Sequence, residues 1–156
     1  MATILNNFFV SVFTDEDCQT AQPPEVRRTE ANLNNMVVTE NDVLHKIEKI
    51  KVNKTPGPDK ISPRILKEVK HQISKPLSIL FNKSLQLGKV PSDWKCANVT
   101  PIFKKGDKSQ PGNYRPISLT SVVCKLMETI IRDNMVKFLE DNNIFNNSQH
   151  GFRNKR

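Results

Sequence analysis

Lys104, Lys105 and Arg115 stand on either side of a turn-rich segment, within residues 101–119 (PIFKKGDKSQPGNYRPISL), where three cationic side chains could grip one anion. Residues 98–103 (NVTPIF) have the β-branched and aromatic content of a strand, and Pro101, lacking an N–H, confines that strand to a sheet edge. Gly106, Asp107, Pro111, Gly112 and Asn113 then punctuate a loop. If residues 114–119 return antiparallel, Lys104, Lys105 and Arg115 converge near the hairpin tip, where their donors can meet a polyphosphate. Each charge-assisted contact would be worth roughly 1.5–3 kcal/mol. Arg115 suits the task best, because its planar fork donates two parallel hydrogen bonds where a lysine offers a mobile point charge. A solvated basic turn is the competing reading of the same residues.

A second group of candidates surrounds KTPGPDKISP at 54–63. Its prolines and glycine make a rigid turn that no helix can continue through, with Lys54 and Lys60 flanking it and Arg64 just beyond. The alternative role is a plain helix-terminating turn in which Asp59 bonds its own backbone. Trp94 could stack on a base, but a tryptophan after a loop more commonly anchors that loop to the helices, and packing is the expectation here. His45, His71 and His150 lack partners at metal-ligand intervals, so no zinc site is expected. Cys18, Cys96 and Cys124 are far apart and odd in number, which argues against a disulfide framework and for a reduced, intracellular protein.

The elements that must position these groups are legible in outline. Thr39 and Asp42 form a capping-box pattern, followed by Val43, Leu44, Ile47 and Ile50 at helical spacing, which predicts a helix over 40–51. Ser62 with Pro63 predicts the next helix start, with Ile65, Leu66, Val69 and Ile73 as its buried stripe. A further start is expected at Ser74, with Pro76 in its first turn, Leu77, Leu80, Phe81 and Leu85 facing inward, and Gly88 closing the helix. After the hairpin, Thr120 or Ser121 caps a long helix whose apolar face runs from Val122 through Leu126, Ile130 and Met135 to Leu139.

Charge is divided unevenly. Residues 1–42 carry two Lys/Arg against seven Asp/Glu, whereas residues 43–156 carry 22 against nine, giving net charges of −5 and +13 within the total of +8. A pI near 9.5 is the footprint of a nucleic-acid binder, although a generic basic protein has it too. Hydrophobic content of 37% and a mean hydropathy of −0.51 are modest for a well-filled core. The apolar run at 8–13 is too short to cross a bilayer and has no basic residues before it, so neither a membrane anchor nor a secretory signal is expected. Pro23 and Pro24 mark a linker between an N-terminal segment and the rest.

Three strings together carry a family likeness. NVTPIFKKGDKSQPGNYRPISLTSVVCKLMETII (98–131) resembles the fingers region of reverse transcriptases from non-LTR, LINE-like retrotransposons (jockey/CR1-like). KTPGPDKISPRILK (54–67) resembles the entry segment of the same polymerases, and QHGFR (149–153) the block just before their first catalytic motif. Order and spacing fit, and the likeness covers roughly residues 40–156. FFVSVFTDED (8–17) resembles the connector ahead of the polymerase.

The resemblance implies an α+β architecture: an incomplete fingers subdomain of amphipathic helices plus a β-hairpin, without the palm. It divides the chain into a partly flexible N-terminal connector (1–39) and a truncated reverse transcriptase domain (40–156). It assigns Lys104, Lys105 and Arg115 to the triphosphate of the incoming deoxynucleotide, and Lys54, Lys60, Arg64, Phe152 and Arg153 to the template. RNA template, DNA primer and deoxynucleoside triphosphates are the implied partners, and Mg2+ the cofactor of the intact enzyme. The family's first catalytic aspartate and its Ala-Asp-Asp turn would follow Arg156, so this chain is expected to bring no dedicated metal ligands and to be inactive alone. A non-catalytic basic RNA-binding module and an unstable pseudogene product are the alternatives; nucleus and cytoplasm are both compatible with the sequence.

Overall fold

The computed structural model describes residues 1–13, 33, 36–145 and 151, and is a mixed helix and strand fold. Five helices are present among the described residues: α1 (Ala2–Ser11), α2 (Glu40–Glu48), α3 (Pro63–Glu68), α4 (Lys70–Leu87) and α5 (Val122–Asp141). Between α4 and α5 lies a hairpin of β1 (Ala97–Phe103) and β2 (Tyr114–Thr120). The linker expected around Pro23 and Pro24 lies outside the described residues.

Local chemistry explains most boundaries. The Thr39 side chain accepts from Asp42 N while the Asp42 carboxylate accepts from Thr39 N, so both halves of the capping box are made and two orphan donors of α2 are satisfied. That helix stops at Glu48, three residues before the predicted end. Ser62 accepts from Arg64 N and Pro63 opens α3, where its missing N–H costs nothing. Gly88 closes α4 at φ 60, its N–H reaching back to Ser84 and Leu85. Ser121 caps α5 by accepting from Cys124 N.

The core sits between α2, α4 and α5, around Val43, Ile47, Phe81, Leu126 and Ile130, with Leu66 of α3 beneath. Trp94 packs edge-on against Phe81 at 5.8 Å between ring centroids, fixing the 92–95 turn to α4 as the packing reading expects. Residues 36–38 run extended along α4, where Asn82 clamps the Val38 peptide on both sides: Val38 N donates to Asn82 Oδ1 and Asn82 Nδ2 to Val38 O, each at 2.8 Å. Val38 is thereby sealed into the core.

Four packing expectations are corrected, the simplest being that Leu80, expected to face inward on α4, is exposed. Helix α4 begins at Lys70 rather than Ser74, because the chain bends only at Val69; Ser74 is instead buried, its hydroxyl donating to Lys70 O, and Pro76 lies inside the helix. Ile65 and Val69 are exposed, since α3 is too short to follow α4 with a common stripe. On α5 the stripe is buried only as far as Ile130, and Met135 is exposed, because the underlying α2 is only nine residues long.

Candidate nucleotide and nucleic-acid interface

The hairpin ladder pairs Ala97 with Thr120 at its base and Phe103 with Tyr114 at its tip, with Ile102 opposite Arg115. One further backbone bond, Lys104 N to Asn113 O at 2.8 Å, extends the pairing by a residue. Opposed residues share a face and side chains alternate, so this register puts Lys104, Ile102 and Arg115 on one face, and Phe103 and Tyr114 on the other. Helix α1 lies beside the hairpin: Leu5 and Phe9 line a cavity with Ala97, Val99 and Pro101, and Phe8 lies against Gly112 in the loop. On the face bearing Arg115, Ile102 and Ile117 are exposed, as is Val99 on the other. Lys105 stands beyond the last paired residue.

The loop between the strands is held by its own side chains. Gly106 has φ +93, and a Cβ there would come within 2.7 Å of the Asn113 amide, which donates to Asp107 O at 2.8 Å. The Asp107 carboxylate accepts from both N and Oγ of Ser109, which holds its pKa below the ordinary value. Tyr114 donates its hydroxyl to Lys108 O, and its ring meets Phe103 edge-on at 5.5 Å. Lys108 lies over the Phe103 ring, 5.6 Å from its centroid, a cation–π placement the sequence did not signal, because nothing in the spacing brings residue 108 back to the strand. Lys104, Lys105 and Arg115 are exposed and make no ion pair among the described residues. A preformed turn thus presents unpaired cations that could accept an anion with little loop-ordering cost.

The 54–60 turn lies at the opposite end of the ribbon. Gly57 is buried against the junction of β2 and α5: a Cβ on it would meet Ser121 N and Thr120 C at 2.6 Å. Asp59 Oδ1 accepts from Ile61 N, as the turn reading expects, while its Oδ2 is buried without a partner. Lys60 adopts a left-handed φ of 57, and Lys54, Lys60 and Arg64 are all exposed. From Thr120 to Tyr114 the ribbon runs about 20 Å at ~3.4 Å per residue. Lys104, Lys105 and Arg115 therefore lie about one ribbon length from the 54–60 turn rather than beside it. Phe152 and Arg153 lie outside the described residues. Among the described residues no group of three His, Cys, Asp or Glu could hold a metal ion, so they do not fit the implied magnesium site. No described helix is long and apolar enough to cross a membrane.

Two other titrating groups are structural. Burial pushes the Cys124 thiol up to about 11, aided by Glu128, whose carboxylate accepts from Sγ. Partial burial raises the Asp133 carboxyl, but the hydrogen bonds and charges of Lys46 and Arg132 outweigh it and bring the pKa below the ordinary value.

No family model matches the chain. It is similar to the probable RNA-directed DNA polymerase from transposon BS of Drosophila melanogaster, 30% identical over 113 residues, covering 72% of this chain and 12% of that protein. The putative 115 kDa protein in type-1 retrotransposable element R1DM of the same organism is 33% identical over 112 residues, 70% of this chain and 11% of the relative. The RNA-directed DNA polymerase from mobile element jockey, again of D. melanogaster, is 31% identical over 117 residues, 74% and 13% respectively. The chain thus spans 11 to 13% of the length of these curated relatives.

Proposed function

We propose, for a chain that belongs to the RNA-directed DNA polymerases of non-LTR retrotransposons, that it is a fingers segment which grips the incoming nucleotide and the template strand. Arg115 and Lys104 hold the triphosphate from the open face of the hairpin, with Lys105 at its tip; Lys54, Lys60 and Arg64 contact the RNA backbone at the other end. The register that sets Arg115 opposite Ile102 supports this reading, since it puts Arg115 and Lys104 on the same face of the ribbon, both exposed. Arginine supplies orientation and lysine supplies charge, so the pair fixes both position and electrostatics of a polyphosphate. The chemical step needs carboxylates to hold its metal ions, and the described residues offer no such group, so the role proposed for these residues is binding.

Binding of RNA without chemistry is the second reading, favoured by the net +13 on residues 43–156. Calorimetric titration with a deoxynucleoside triphosphate and with the matching deoxynucleoside separates the two. The fingers reading expects binding that requires the triphosphate and falls about tenfold or more in Arg115→Ala, from the ~1.5–3 kcal/mol of a charge-assisted contact. Arg115→Lys should recover part of it. Equal binding by the alanine variant, or binding of RNA alone, would leave only the second reading.

A further inference from the structure

A cavity of about 250 Å³ between α2, the turn after it and the start of α5 is ringed by lysines: Lys46, Lys49, Lys51, Lys54 and Lys125. Lys46 is committed to Asp133, but Lys49, Lys51, Lys54 and Lys125 make no ion pair among the described residues. Lys70 is matched to Glu48 and Lys137 to Asp141; Lys75, Lys83 and Lys89 also make no ion pair among the described residues, but they do not share a cavity with the other four. Like charges gathered around one cavity repel and lower the stability of the free protein, an arrangement that makes sense when an anion occupies the space. The floor is apolar, with Ile50, Val122 and Leu126, and excludes part of the water that would screen an anion from the ring. The hydroxyl of Thr55 at the lining adds a neutral donor, whereas that of Thr129 is donated to Lys125 O. Lysines, being point charges without a planar fork, suit a backbone whose orientation is set elsewhere.

We infer that this lysine-ringed cavity binds backbone phosphates of the RNA strand, with Lys49, Lys51 and Lys125 as contacts beside Lys54. The inference rests on the reading that the chain holds a template, and extends it to three residues on α2, its following turn and α5. Val122 directly follows the Gly57-packed junction at the base of the hairpin, so the strand is held about one ribbon length from the triphosphate grip. Two anchors at that spacing would define the line along which a template runs.

The test measures binding of a single-stranded RNA oligonucleotide to the 156-residue chain across a salt series. Lys49→Ala, Lys51→Ala and Lys125→Ala combined should cut the salt slope by about 2, given ~0.7 per phosphate contact on a single strand. A control that removes the same charge from α4 and its exit, Lys75→Ala, Lys83→Ala and Lys89→Ala combined, should change the slope less than half as much. The corresponding triple arginine variant should keep the slope, and the thermal midpoint of the alanine variant should hold or rise as repulsion is relieved. Equal losses in pocket and control variants overturn the inference, as does loss in the arginine variant. Tripolyphosphate at matched ionic strength provides the other arm: competing for the same lysines, it should displace RNA from the unaltered chain more readily than from the pocket variant, and equal displacement from both overturns the inference. No RNA binding by the unaltered chain overturns the inference together with the template reading, whereas the triphosphate reading stands or falls separately on Arg115→Ala.

Discussion

Gly57→Ala tests the joint between the 54–60 turn and the base of the hairpin. The added Cβ would lie 2.6 Å from Ser121 N and Thr120 C and 2.7 Å from Thr120 O, all backbone atoms of the segment that ends β2 and caps α5. No rotamer change relieves such a clash; either the 54–60 turn lifts or the β2–α5 junction shifts. Overpacking of this kind costs about 1–3 kcal/mol. Gly57 has no left-handed φ to explain its identity, so the general effect of replacing glycine by alanine at an unstrained position would instead be a gain of roughly 0.4–1 kcal/mol through the unfolded chain. The two expectations have opposite signs. Urea unfolding followed by circular dichroism should show a lower midpoint for Gly57→Ala with an unchanged slope. Gly88→Ala is the comparison: it has nothing within 4 Å, so its cost comes only from the φ of +60, of order 1–2 kcal/mol. A Gly57→Ala protein as stable as, or more stable than, the original would refute the close packing of the turn on the hairpin base.

Three further outcomes follow from the geometry. Lys60→Gly should stabilise the fold by about 1 kcal/mol, because the left-handed φ of 57 strains a lysine and suits glycine, yet it should weaken RNA binding if Lys60 is kept for its charge; melting and RNA titration on one preparation read both. Asn82→Ala should cost about 2 kcal/mol or more in urea unfolding, since it strips partners from both the N–H and the C=O of Val38, and amide exchange at Val38 should accelerate. Asp133 has a depressed folded pKa, so the stability it contributes is present above its ordinary value of 3.8 and is lost as pH falls through the lower folded value; Asp133→Asn should flatten part of the acid-side fall in thermal midpoint while lowering stability at neutral pH.

What could be read in the sequence was whatever is decided within a few residues. The Thr39–Asp42 box, the Ser62–Pro63 start and the Gly88 stop follow from groups that bond their own neighbours. The hairpin was legible because β-branched runs on either side of a Gly/Asn-rich loop leave one natural pairing, and that pairing also set Arg115 beside Lys104. What was not legible depends on distant partners. The inward stripe of α5 stops short because α2 ends, which no periodicity on α5 can reveal. Residues 8–11 of helix α1 were treated as part of a connector; the fold brings the helix beside the hairpin, with Phe8 against Gly112 and with Leu5 and Phe9 lining a cavity with Ala97 and Val99. Lys49, Lys51 and Lys125 read as ordinary surface lysines until α2 and α5 pack side by side and enclose a cavity between them. The separation of nucleotide and template candidates by the length of the ribbon was equally invisible, because it rests on Gly57 docking at Thr120 and Ser121.

Amide chemical-shift mapping of the isotope-labelled chain during titration with a deoxynucleoside triphosphate tests the central claim most directly. The fingers reading predicts shifts concentrated at Lys104, Lys105, Asn113, Tyr114 and Arg115, with residues 49–54 and 125 unmoved, and loss of those shifts in Arg115→Ala. Shifts confined to the lysine cavity, or no change at the hairpin tip at nucleotide concentrations that saturate binding, would contradict it.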